Sequence, residues 1–187
     1  MKLKTLSDLF ADHMKDLYSA ENQLIKALPK MAKSATNPDL RAGFEQHLEE
    51  TRGQAERIEQ ICEDLGISPK GKKCAAMEGL IEEGKEIMEE DASPAVLDAG
   101  LIAAAQKVEH YEIASYGTVR TWAEQLGLED AVALLEETLE EEKATDEKLT
   151  ELAVTIINEE AEEGDEEEEE AASNGKSKNG KKAGAKK

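Results

Sequence analysis

Four long runs of apolar residues spaced three and four positions apart, cut by two short breaks and one long one, leave this chain few folds to choose from. Leu6, Phe10, Met14, Leu17, Leu24, Leu28 and Met31 keep one side of a first helix apolar until residues 34–38, where Pro38 closes the pattern. Leu40, Phe44, Leu48, Ala55, Ile58, Ile61 and Leu65 mark a second helix, stopped at Gly66 with Pro69 and Gly71 beyond. A shorter run over residues 74–90 carries Met77, Leu80, Ile81, Ile87 and Met88. Ser93 then precedes Pro94 as an N-cap precedes a first helical proline. The helix it opens should reach residue 125 and close at Gly127. The last helix starts near Leu128 and shows Val132, Leu135, Leu139, Leu149, Ala153 and Ile156.

Loop lengths decide the wiring. A few residues join the first pair of long helices and a few join the last pair, so each pair is an antiparallel hairpin. Between the hairpins lies a long connection, residues 66–93, with its own short helix. Two hairpins joined by one long crossover is the ferritin-like way of wiring a four-helix bundle. The fold class is therefore all-α, a four-helix bundle whose crossover carries an additional short helix. The apolar side of that helix (Met77, Ile81, Met88) reads either as cover for the bundle's own flank or as a dimer contact.

Charge sets the limits. The chain holds 43 acidic and 23 basic residues, a net charge of -20. A body this acidic repels nucleic acid. No apolar run is long enough for a membrane span, and the charged N-terminus has no signal-peptide core, so a cytoplasmic protein is expected. Ten acids fall within residues 159–170, and six lysines follow within 173–187 among Gly, Ala, Ser and Asn. Such a composition does not offset ordering entropy, which predicts a bundle over 1–158 and a disordered tail over 159–187. Cys62 and Cys74, with no CxxC spacing, are expected as free thiols.

The informative acids are those on the apolar arcs. At about 100° per residue, Glu21 lies in the middle of the first stripe, between Leu17 and Leu24. Glu50 shares the arc of Thr51, Ile58 and Ile61, while Glu109 and Glu112 flank that of Ile102, Ala105 and Tyr116. Glu142 lies between Leu139 and Leu149, with Asp146 one turn on. His47 reads either as a satisfied core histidine or as a metal ligand, and Gln54 as a hydrogen-bond partner. His110 points away from Glu112's side, and His13 lies near the start of the first helix, both as structural residues. Tyr18, Tyr111 and Tyr116 read as packing residues, a nearby phenol also being able to move an electron or a proton. Each long helix thus carries an inward carboxylate near its middle, with no Lys or Arg on the same arcs. Either these acids are protonated or a cation neutralises them, and a pair of divalent metals is the economical answer.

The blocks LYSAENQL (17–24), HLEETRGQ (47–54), CAAMEGL (74–80), VEHYEIASYG (108–117) and LEEEKATD (139–146) resemble the YciE/YciF bacterial stress-protein family. The resemblance covers about residues 3–158 and implies a ferritin-like fold related to rubrerythrin, a homodimer and a part in stress responses. Laid on the rubrerythrin pattern, Glu21 takes the place of the lone Glu of the first helix. Glu50 matches the Glu of the second helix, but Gly53 stands where the His should be. Glu109 and Glu112 match the third helix, and Glu142 the fourth, with Asp146 in place of its His. The rubredoxin-like electron-transfer domain has no counterpart here.

The expected site is thus a di-iron or di-manganese centre built from Glu21, Glu50, Glu109, Glu112, Glu142, Asp146 and His47. It is an oxidoreductase site of peroxidase type, with peroxide or oxygen as the small-molecule substrate. The competing expectation is a non-catalytic dimeric helical bundle whose inner acids are protonated or hydrated.

Overall fold

In a computed structural model that describes residues 3–163, five α-helices follow one another. They are α1 (Leu6–Ser34), α2 (Pro38–Asp64), α3 (Ala75–Glu89), α4 (Pro94–Gln125) and α5 (Glu129–Leu152). A π-helical turn, Ala153–Ile157, continues α5, and helical backbone runs on to residue 163. No strand occurs among the described residues.

Local chemistry sets the ends. Thr5 and Asp8 form a reciprocal capping box at α1, each accepting from the other's backbone N–H at 3.0–3.1 Å. The Asn37 side chain accepts from the N–H of Asp39 and Leu40 ahead of Pro38 at the start of α2. Pro94 opens α4 after Ser93, although the serine hydroxyl makes no cap bond. Gly66 and Gly127, at φ +63° and +71°, turn the chain out of α2 and α4 in the left-handed conformation that a Cβ penalises.

α1 packs most extensively on α2, and α4 on α5. These are the two hairpins, closed by residues 35–37 and 126–128. Residues 65–93 cross between them, and α3 lies on α4 and α1. Met77 is fully buried, and Leu80, Ile81, Ile87 and Met88 pack against the core. The apolar side of the crossover helix therefore covers the bundle's own flank. Its start is pinned to α1: the Cys74 N–H donates to Ser19 Oγ, and Gln23 Nε2 donates to the Cys74 carbonyl, each at 3.0 Å. Cys74 is also the N-cap of α3, and both cysteines are buried free thiols.

Two features differ from the sequence expectation. The π turn inserts one extra residue per turn at the end of α5, a shift that apolar spacing does not reveal. Residues 159–163, expected to begin the tail, prolong the helix instead, because Glu and Ala propagate a helix already nucleated. The rest of the tail expectation falls on residues 164–187, outside the described residues. No described helix is long and apolar enough to cross a membrane.

The interior is not one continuous apolar core. Phe10, Met14, Leu17, Ile58, Ile61, Tyr116, Val119 and Leu135 fill one half. Leu24, Leu28, Leu40, Phe44, Leu101, Ile102, Val108 and Leu149 fill the other. Buried polar side chains divide the two: Glu21, His47, Thr51, Gln54, Glu109, Glu112 and Glu142.

Candidate metal centre

Every long helix contributes to this polar layer at its middle. α1 supplies Glu21, α2 His47 and Gln54, α4 Glu109 and Glu112, and α5 Glu142. Glu21, Glu112 and Glu142 have no exposed surface, and Glu109 keeps only 1%. One ligand atom from each of His47, Glu109, Glu112 and Glu142 lies within 4.8 Å of the other three. His47 Nε2 stands 3.3 Å from Glu109 Oε1 and 4.0 Å from Glu142 Oε2. Its other nitrogen, Nδ1, faces Thr145 Oγ1 at 3.5 Å and Glu50 Oε2 at 3.6 Å. Nε2 thus faces the layer while Nδ1 faces a hydroxyl and a carboxylate outside it, the arrangement in which outer groups orient histidines at metals.

Neighbours orient two of the acids. The Tyr116 hydroxyl, itself fully buried, donates to Glu21 Oε1. Gln54 Nε2 donates to Glu142 Oε1 and, at 3.0 Å, to Glu141 Oε2. Arg57 on α2 is spent on Glu141 and Glu137 at the layer's edge. Within the layer, Glu21 Oε2, His47 Nε2, Glu109 Oε2, both Glu112 oxygens and Glu142 Oε2 are buried without a hydrogen-bond partner. Buried polar atoms are normally paired, so a cluster of orphans in one layer calls for a missing partner.

Electrostatics agrees. Burial, followed by the charge of Glu142, pushes Glu21 up to about 8. Burial raises Glu109 and Glu112 well above the ordinary carboxylate range, helped by Glu142 and Glu21 respectively. Glu142 is raised by burial too, with the His47 charge opposing. Tyr116 is raised by burial and by the adjacent Glu21. Four acids in a dry layer repel one another's ionised forms, and only protons or a cation relieve that.

The described span matches known proteins along its whole length. Residues 5–162 fit the family described as Domain of unknown function (DUF892). The chain belongs to the DUF892 family. Protein YciF of Escherichia coli (strain K12) is 56% identical over 162 residues, 86% of this chain and 98% of YciF. The crystal structure of the E. coli stress protein YciF has the same fold, with a TM-score of 0.81 at 57% identity over 83% of this chain and 99% of that one. YcfI of Rhodopseudomonas palustris gives 0.77 at 50% identity, covering 80% and 95%. A Xanthomonas campestris protein shares the fold at 22% identity, with a TM-score of 0.67 over 86% and 99%.

In this DUF892 chain, Glu21, Glu109, Glu112, Glu142 and His47 converge as candidates, and two expected ligands stand outside them. Glu50 is a quarter exposed, accepts from Gln46 Nε2 at 2.8 Å, and is held below the usual carboxylate range by the His47 imidazole. The reason is register: the inward line of α2 runs His47, Thr51, Gln54, Ile58, which leaves Glu50 about 60° to one side. Asp146 is partly exposed, accepts from Gln106 Nε2 at 3.2 Å, and lies 3.4 Å from His110 Nε2. Gln54 is the hydrogen-bond partner expected. Tyr116 does more than pack, since its hydroxyl reaches Glu21 across the bundle. In the sequence, only its spacing three residues after Glu142 marks Thr145.

Proposed function

We propose that this DUF892 protein is a stress-response metalloprotein whose polar layer holds two divalent cations, iron or manganese, and reduces peroxide or oxygen. The observation that carries the reading is the set of orphaned buried atoms on Glu21, His47, Glu109, Glu112 and Glu142. Four carboxylates and one imidazole make an oxygen-rich donor set suited to intermediate and hard divalent ions. His47, Glu109, Glu112 and Glu142 would hold the first cation, and Glu21, Glu112 and Glu142 would contribute to the second. Bound there, the pair would supply Lewis-acid and one-electron redox chemistry.

The chain's own residues have defined tasks in this reading. Glu50 and Thr145 keep His47 Nε2 turned inward. Gln54 fixes one oxygen of Glu142, leaving the other free to ligate. Tyr116 holds Glu21 and stands ready to pass its proton inside the layer. The two apolar halves flank the layer and lower the dielectric around it, which strengthens every interaction of charge between them. We assign the protein to the cytoplasm as a homodimer.

The test is elemental analysis of protein purified without chelator from cells given iron and manganese. Stoichiometric metal is expected. Fe(II) loaded anaerobically should then develop the absorption of an oxidised pair on adding peroxide. A protein that retains no metal refutes the reading.

The second reading, a structural bundle with protonated inner acids, is favoured by the upward shift of Glu21 to about 8, and a structural role is proposed for YcfI. It predicts no stoichiometric metal and a Glu21→Ala, Glu142→Ala double variant at least as stable as the parent. Under the metal reading the same variant abolishes binding.

A further inference from the structure

A cavity of about 430 Å³ opens between α2 and α5 and ends at the polar layer. Its inner end is polar, formed by His47, Glu109, Glu50 and Thr145. From there it runs toward the α1–α2 turn along Leu24, Leu28, Met31, Leu40, Phe44 and Leu149. Seven residues separate His47 from Leu40 on α2, a helix length of about 10 Å. The volume falls within the range of small-molecule sites, and the combination of an apolar trough with convergent polar groups at one end is their usual make-up. α2 meets α5 far less than it meets α1, and Ala42 and Gly43 face the gap. A Cβ placed on Gly43 would touch nothing within 4 Å.

We infer that this cavity binds the unbranched aliphatic chain of a neutral amphiphile, an alcohol or hydroperoxide, with its polar end against His47 and Glu109. This deepens the metal-centre reading by naming its substrate class, and rests on that reading for any turnover. The floor of the trough is made of buried side chains, Leu24, Leu28, Met31, Leu40, Phe44 and Leu149, and its rim is polar and exposed at Asp39, Gln46, Lys148 and Glu151, whereas a protein partner needs a wide surface. None of the exposed large apolar residues, Leu3, Leu65, Val96 and Val154, lines it. The head is uncharged because the half-buried carboxylate of Glu50 faces it, and a carboxylate head would meet its repulsion. The rim cation, Lys148, already has Glu50 as its neighbour.

Binding is measured on the metal-free full chain by isothermal titration calorimetry with 1-octanol, so a failure here is separate from failure to hold metal. Saturable binding is expected, with a negative heat-capacity change. Affinity should fall about fourfold for each methylene removed on going to heptanol and hexanol. Octanoate should bind at least tenfold more weakly than octanol. Gly43→Trp, whose ring grows into the gap, should weaken octanol at least tenfold without moving the melting temperature. Ala42→Phe, from the next position on the rim, guards against a Gly43 variant that fails to fold. Absence of saturable binding, a flat chain-length series, octanoate bound as well as octanol, or octanol undisturbed by both blocking variants would each overturn the inference.

Discussion

With no cation in it, the polar layer should make the chain less stable as the solution becomes more alkaline. The sign follows from Glu21. Its carboxyl titrates near 4.5 in an unfolded chain and at about 8 in the folded one. Between those values the native state holds a proton that the unfolded state has released. Stability from this group is complete below the unfolded value and disappears as pH climbs through the folded one. One proton of difference is worth about 1.4 kcal/mol per pH unit, so from pH 5 to pH 8 Glu21 alone removes about 4 kcal/mol. For a chain of this size that corresponds to a fall in melting temperature of roughly 8–16 °C. Glu109, Glu112 and Glu142 shift the same way and steepen the fall.

The assay is thermal unfolding of chelator-treated protein at half-unit steps from pH 5 to pH 8, beside Glu21→Gln and beside metal-loaded protein. The glutamine variant keeps the side chain's shape and cannot ionise, so its curve should be flatter by about one proton's slope. Surface carboxylates are already ionised at pH 5 and contribute alike to both curves. Metal-loaded protein should show little slope, because its ligands are ionised throughout, and loading should release protons. A metal-free melting temperature that is level or rising from pH 5 to pH 8 would show that these acids are not confined in a dry layer. So would a Glu21→Gln curve parallel to the parent's.

Three further outcomes follow from particular contacts. Asp98, buried on α4, accepts from the Thr36 and Asn37 N–H groups and the Thr36 hydroxyl at 2.6–2.8 Å, so it clamps the α1–α2 turn. Asp98→Ala should cost about 2–4 kcal/mol in urea unfolding while leaving metal content unchanged. Tyr116→Phe removes the donor to Glu21 and should destabilise the metal-free chain by about 1–3 kcal/mol, measured by the same unfolding. Glu50→Gln should keep the parent's metal stoichiometry with affinity lowered about tenfold at most, whereas His47→Ala should lose stoichiometric metal in elemental analysis.

The helices were legible because one signal repeats often. Apolar residues at helical spacing, Pro38 and Pro94 at starts, and Gly66 and Gly127 at stops all express local preferences, and local preferences survive folding. The inward acids Glu21, Glu109, Glu112 and Glu142 were legible for the same reason, since each sits among core residues of its own helix. What sequence spacing misjudged was angular position within a stripe. Glu50 and His47 differ by about 60° around α2, and which one faces the bundle axis depends on how α2 is rolled against α1 and α5. That roll is set by Thr51 and Gln54 packing inward, a tertiary fact. Asp98 carries no local signal in the sequence, because its partners lie some sixty positions away in the chain.

The polar layer also explains why the interior is built in two halves. A layer of acids across the middle of α1, α4 and α5, with His47 on α2, weakens the bundle, and a single uniform apolar core would have been the stabler choice. α1, α4 and α5 instead carry apolar residues on both sides of their acids: Leu17 and Leu24 around Glu21, Ala105 and Tyr116 around Glu109 and Glu112, and Leu139 and Leu149 around Glu142; on α2, Phe44 and Ile58 flank His47 and Gln54. Sliding α1, α4 or α5 by one turn, about 5.4 Å, would drive an acid into an apolar half, and sliding α2 would do the same to His47 or Gln54. The layer therefore fixes the relative heights of all four helices, whatever occupies it. A bundle that needed only height registration would manage with one buried polar group, as coiled coils do. Four carboxylates and an imidazole, of which only Glu21, Glu142 and His47 have outer partners in Tyr116, Gln54 and Thr145, exceed that need, and the excess is what argues for a cation.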